Sequence, residues 1–204
     1  IEVLRQELAR DVVGLKIKEA AVTTGKAVRK HKTAKAFRDL VEGRTIKSVG
    51  RLGTSLVLEL DDGNSLVIDP RDTGTLRRAK SAKEAKLKHT CVVITFTKSG
   101  QLRFADAKPA GELFVSTPPA EGVTVAVAPA STVAVGGEGA ALRQRVPELA
   151  GLGFDPVEDV MSWERFAYVL RAKPMPIRLF LIDQSLVTGI GPIYADEICF
   201  GSGL

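Results

Sequence analysis

Residues 183–197 read DQSLVTGIGPIYADE, and their types and order suit the binding of an anion. Gly189, Ile190 and Gly191 break the chain between two short helical patterns, and Pro192 opens the second. Proline fits the first position of a helix because the N–H it lacks has no intrahelical partner there. Glycines let a ligand or another backbone approach closely. The first-turn amides and the helix dipole then favour negative charge. Small polar side chains flank the break. The two cysteines, Cys91 and Cys199, lie far apart and match no zinc spacing, so no metal site is expected within the chain.

The charge distribution suggests a polyanion. The chain has 204 residues and a formal net charge of +5. Residues 1–50 carry 12 basic and 6 acidic side chains, and residues 71–108 carry 10 and 3. Residues 109–170 reverse the balance, with 3 and 8. A basic excess gathered in two segments suits nucleic acid, although an ordinary solvated lysine-rich surface has the same composition. No apolar run reaches the ~18 residues of a membrane span. No secretory leader is expected, and two distant cysteines do not argue for an oxidising compartment. A cytoplasmic location is expected.

These residues must be positioned by a mixed scaffold. IEVLRQELARDVVG spaces its apolar residues as a helix and stops at Gly14. Strand-like runs follow: LKIKEAAV, TIKSVGRL, SLVLEL, SLVID, HTCVVITF, QLRFA and GELFV. DDGN at 61–64 and KSGQ at 98–101 supply hairpin turns, and residues 26–43 read as a loop with a short helix. One helix followed by many antiparallel strands predicts a sandwich or barrel. From Thr117 to about Gly151 the chain is rich in Ala, Val, Gly and Pro and reads as a connector, with room for one edge strand or a further strand pair. The remainder is helical: Ser162 is an N-cap for WERFAYVLRA, KPMPIRLFLIDQ starts with two prolines, and tight turns lead into PIYADEICF. The expected class is α+β, with an N-terminal helix and antiparallel β-sandwich over 1–118, a connector over 119–150 and a helical domain over 151–204.

LIDQSLVTGIGPIYADEICFGSGL resembles the helix–two-turn–helix segment of the formamidopyrimidine-DNA glycosylase and endonuclease VIII family, which reads LLDQ-x-LVAGIGNIYADE-x-LF-x-AGI. LGFDPVED is similar to the LGPEPL opening of that family's helical domain. GRLGTSLVLEL is similar to its RR-x-GKYLLLEL strand, and KHTCVVITFTKSGQLRFADAKPAGELFV to its KH-x-H…LRY-x-DPRRFG region. The order and spacing agree from Ile1 to Leu204. The resemblance implies base-excision repair: an N-terminal proline amine attacks the sugar C1′, forms a Schiff base with help from a neighbouring Glu, and β/δ-elimination follows. The target base is flipped out first. The family's Pro-Glu-Leu-Pro-Glu start would precede Ile1, and its four-cysteine zinc finger would follow Leu204. Zinc is thus expected only if that finger exists, and no catalytic group within 1–204.

Carried over residue by residue, the resemblance gives a divided result. Gly189, Gly191, Pro192 and Tyr194 fall in the phosphate-binding turn, with Pro192 in place of the family's asparagine. Lys173, Arg178 and His89 fall on DNA-contacting positions; Cys91 replaces the second histidine, and Lys108 keeps a positive charge. Thr54, in contrast, stands at the family's active-site lysine. Asp72, Pro109 and Ala110 stand at the three intercalating positions. A carboxylate is a poor wedge for a base stack. The expectation is therefore a monomeric, cytoplasmic and nucleoid-associated bacterial protein that binds duplex DNA, including damaged DNA, as the glycosylase/abasic-site lyases do. The alternative is a catalytically degenerate homologue that holds duplex nucleic acid without base excision. Structured RNA is a third reading, carried by fold analogy alone.

Overall fold

The computed structural model describes residues 1–98, 100–129 and 137–204. The chain divides into two compact units, Ile1–Thr117 and Pro118–Leu204.

The first unit begins with α1 (Glu2–Val12), whose Leu8 and Val12 are buried one turn apart. Acidic Glu2 in the first turn suits the helix dipole. The chain leaves the helix through Gly14 at φ 80, a left-handed conformation that glycine adopts without strain. Eight strands follow: β1 (Ile17–Val22), β2 (Ile46–Leu52), β3 (Ser55–Leu60), β4 (Ser65–Asp69), β5 (Gly74–Ala79), β6 (Thr90–Phe96), β7 (Gln101–Asp106) and β8 (Glu112–Ser116). They form two antiparallel four-stranded sheets, ordered β1-β6-β7-β5 and β2-β3-β4-β8. Alternate residues such as Leu56, Leu58 and Leu60 of β3 enter one core with Ile94, Leu102 and Phe104 of the other sheet. Between β1 and β2 lie a short 3-10 turn (Gly25–Val28) and α2 (Ala34–Val41), the latter capped by Thr33 Oγ1 accepting from the Ala36 amide. Phe37 and Val41 of α2 complete the core.

Sequence patterning anticipates seven of these strands and not β5. GTLRRA has only Leu76 and Ala79 buried, and its arginines hide the alternation. The DDGN turn joins β3 to β4, with the Asp62 carboxylate accepting from the Asn64 amide at 3.1 Å. The KSGQ turn includes Ser99, outside the described residues; β6 and β7 pair across it.

In the second unit, α3 (Glu138–Arg145) and a 3-10 turn (Pro147–Leu149) occupy part of the stretch read as a connector. EGAALRQR lacks an apolar stripe, which is why its helix is invisible to periodicity. Arg143 anchors it: the guanidinium pairs with Asp159 at 2.9 Å, both side chains being buried, and donates to the Leu152 carbonyl. The edge strand expected in this stretch falls partly on residues 130–136, outside the described residues. Beyond it lie α4 (Trp163–Ala172), α5 (Ile177–Ile182) and α6 (Pro192–Gly201). Ser162 caps α4 by accepting from the Arg165 amide. Phe154, Val169, Phe180, Leu186 and Val187 form this unit's core, with Phe166 packed edge-on against Phe154 and Phe180.

Candidate nucleic-acid interface

In the second unit, the turn between α5 and α6 is stitched by one side chain, Gln184. Its Nε2 donates to the carbonyls of Ile182 (3.1 Å) and Ile190 (2.8 Å). Its Oε1 accepts from the Gly189 amide (2.9 Å) and the Thr188 hydroxyl (3.3 Å). Asp183 adds an Asx turn, its Oδ1 accepting from the Ser185 amide and hydroxyl. Leu186 and Val187 turn inward, and Phe154 bridges to them through bonds to Leu186 and from Thr188. Gly153 permits that approach, since a Cβ there would lie 2.2 Å from the Leu186 carbonyl oxygen. Gln184 and Gly153 escaped the reading of individual site residues; the recurrence of Gln184 in the quoted motif was the available signal.

The two glycines of the break have different duties. Gly189 sits at φ 91 with its amide already bonded to Gln184, so it shapes the turn. Gly191 is the extended N-cap of α6, with open space around its Cα. Pro192 takes the first helical position, and the Ala195 amide makes the return bond to the Gly191 carbonyl. The amides of Ile193 and Tyr194 fall in that first turn, where helices leave donors unpaired. Both of their side chains are more than two-thirds exposed. Lys173 is exposed at the C-cap of α4. Arg178 is committed to an ion pair with Asp196 of α6, its Nη2 lying 3.3 Å from Oδ2. That hydrogen bond and charge raise the Arg178 pKa and lower that of Asp196. The cation assigned to DNA is thus paired with the motif's own aspartate.

In the first unit, Thr54 lies half-exposed in the β2–β3 turn. Buried Arg51 holds this turn by donating from Nη1 to the Gly53 carbonyl at 2.8 Å. Its Nε reaches Glu2 at 3.1 Å, tying the start of α1 to the same turn. Hydrogen bonding from Arg5 first, and from Gln6 and Arg51 besides, lowers the Glu2 pKa to about 2.

The loops expected to carry the wedge, residues 69–74 and 106–111, are brought together by pairing of β4 with β8 and of β5 with β7. Asp106 accepts from the Thr73 hydroxyl (2.7 Å) and from the amides of Lys108 (3.0 Å) and Gly111 (2.7 Å). Burial pushes its carboxyl up, but these bonds outweigh burial and hold it below the ordinary aspartate value. Arg29 donates to the carbonyls of Pro109 (3.3 Å) and Ala110 (2.8 Å). Buried Glu112 gathers Arg29, Lys30 and Arg71 at 3.0, 3.4 and 4.0 Å. Asp72, Lys108, Pro109 and Ala110 are exposed at the rim. Among the described residues, only Arg71 and His89 have positive φ without being glycine, at 51° and 62°. Both flank this polar loop system, and such backbone conformations are held only where surrounding bonds enforce them. His89 is exposed, and its carbonyl accepts from the Asp106 amide.

Two family profiles match this chain: the formamidopyrimidine-DNA glycosylase N-terminal domain over residues 1–113, and the formamidopyrimidine-DNA glycosylase H2TH domain over residues 152–204. The chain belongs to the formamidopyrimidine-DNA glycosylase family. The formamidopyrimidine-DNA glycosylase of Desulfitobacterium hafniense is 30% identical over 205 residues, covering 100% of this chain and 66% of that protein. That of Salinispora arenicola is 32% identical over 199 residues, covering 97% and 61%. The chain therefore spans a little under two thirds of the length of these relatives. The Lactococcus lactis formamidopyrimidine-DNA glycosylase, non-covalently bound to DNA containing an abasic site, superposes with a TM-score of 0.73 at 25% identity. That match covers 97% of this chain and 66% of the Lactococcus chain. Among the described residues of this family member, no three His, Cys, Asp or Glu side chains are grouped to hold a metal, and no helix is long and apolar enough to cross a membrane.

Proposed function

We propose that this chain binds duplex DNA, including damaged duplex, through backbone phosphate seated at the start of α6. The observation that carries this reading is the Gln184-stitched turn: it fixes an uncapped helix start at Gly191–Pro192 with no acidic residue in the first turn. Phosphate is the anion such a helix end suits. Pro192 leaves fewer donors than an asparagine would, so the grip is weaker than a full complement of donors would give. The solved complex of the Lactococcus relative with abasic-site DNA supports DNA as the ligand.

A second reading rests on a specific observation. Thr54 cannot carry the charge of a lysine. The loops bearing Asp72, Pro109 and Ala110 are cross-tied by Arg29, Asp106 and Glu112 and present a polar rim. This arrangement favours binding without base extrusion over Schiff-base glycosylase chemistry. The experiment uses the full-length protein with an abasic-site duplex and borohydride. The degenerate reading expects no covalent adduct, and similar salt-sensitive affinity for lesion and intact duplex. An adduct would overturn it and restore the lyase. Absence of any salt-sensitive duplex binding would overturn the DNA assignment itself.

A further inference from the structure

A buried guanidinium hydrogen-bonded to neutral oxygens organises a lysine-rich loop separate in sequence from the turn between α5 and α6. Arg103 of β7 is 1% exposed. Its Nε donates to Gln101 Oε1 at 2.9 Å, Nη1 to the carbonyls of Glu84 (2.9 Å) and Ala85 (3.0 Å), and Nη2 to those of Ser81 (3.4 Å) and Ala82 (3.2 Å). All five donors of the side chain are engaged. Burying a guanidinium against neutral oxygens is costly unless each donor is satisfied. Here that cost is offset by drawing four loop carbonyls inward around one cation.

The loop so held spans residues 80–88, KSAKEAKLK. Lys80, Lys83, Lys86 and Lys88 are all exposed, and none of their ammonium groups joins an ion pair among the described residues. The loop's one acidic side chain is used internally, Glu84 Oε1 accepting from the Ser81 amide at 2.9 Å. At the far end the Thr90 hydroxyl donates to the Leu87 carbonyl at 2.6 Å, leading into exposed His89. The result is a shaped cationic edge rather than a solvated tail.

We propose that the 80–88 loop, held by Arg103, is a second contact surface for the phosphate backbone of duplex nucleic acid. This rests on the duplex-binding reading above and assigns part of that binding to the first unit. Fixing the loop lowers the ordering entropy that four lysines on a free loop would lose on binding. Arg103 is a positioning residue and the four lysines are the contacts.

The test compares two quadruple variants of the full-length protein on an undamaged duplex across a salt series. K80Q/K83Q/K86Q/K88Q removes the loop charges; K16Q/K18Q/K26Q/K47Q removes four exposed lysines elsewhere in the same unit. Each phosphate contact contributes about 0.9 to the slope of log K against log salt. The loop variant should lose about 2–4 from that slope and the control variant less than about 1. Equal losses in the two variants, or no loss in the loop variant while the parent binds salt-dependently, would overturn the proposal. A parent without salt-dependent binding overturns the duplex reading and this one together. Competition by polyglutamate as effective as by duplex at equal charge would reassign the loop to an acidic protein partner.

Discussion

Gly189 and Gly191 are two residues apart, yet the structure gives them opposite tolerances. Gly189 occupies a left-handed conformation with its amide tied to Gln184. Alanine there meets backbone strain, so Gly189→Ala is expected to cost about 1–2 kcal/mol. Gly191 is extended with open space at its Cβ position, so Gly191→Ala should stay within about 0.5 kcal/mol. Urea denaturation of the two variants measures both; equal losses would show that the turn is not held as described. At the same scale, Gln184 explains why a motif full of glycine presents one defined helix start. A single amide spans both turns and satisfies four partners.

Helix α3 depends on tertiary contacts. Its sequence has no apolar stripe, and its anchor is the buried Arg143–Asp159 pair. Removing one member of such a pair strands the other charge in the interior. Arg143→Ala should therefore destabilise the second unit by about 3–5 kcal/mol, whereas Arg143→Met with Asp159→Asn, which keeps an acceptor for the Asp155 amide, should recover part of that loss. Thermal unfolding of the two variants decides it; a double variant no better than the single would place the loss in packing instead. The same dependence explains β5. GTLRRA pairs with β7 along its length, so its strand is set by the partner's hydrogen bonds rather than by its own alternation.

On the scale of the whole chain, two units each carry their own core, and charge tunes the first of them. Glu2 has an ordinary value of 4.5 and a folded value of about 2. A lowered folded value means the unfolded state binds the proton more readily. The stabilisation is thus complete above about 4.5 and is lost as pH falls toward 2. Asp106 is shifted in the same direction. Because Glu2 is partly exposed, screening limits its contribution to about 1–2 kcal/mol. Glu2→Gln should lower stability by that amount at neutral pH and lose the deficit on acidification. A deficit unchanged between neutral pH and pH about 3 would show that the carboxylate charge is not responsible.

The sequence by itself determined the family, the α1 stop at Gly14, seven strands, the Ser162 cap and the Gly191–Pro192 helix start. These features are local: alternation, turn chemistry and capping are written within a few adjacent residues, and the GIGPIYADE motif keeps its spacing. The tertiary structure alone decided which polar groups remain available. Arg178 looks like a free cation in sequence and is paired with Asp196, 18 residues away. Arg103 looks like a strand arginine and is the buried centre of the 80–88 loop. Glu112 looks unremarkable and gathers three cations around the rim loops. Such pairings join residues distant in the chain, and their energy depends on burial and on the number of donors satisfied. No window of sequence contains those quantities.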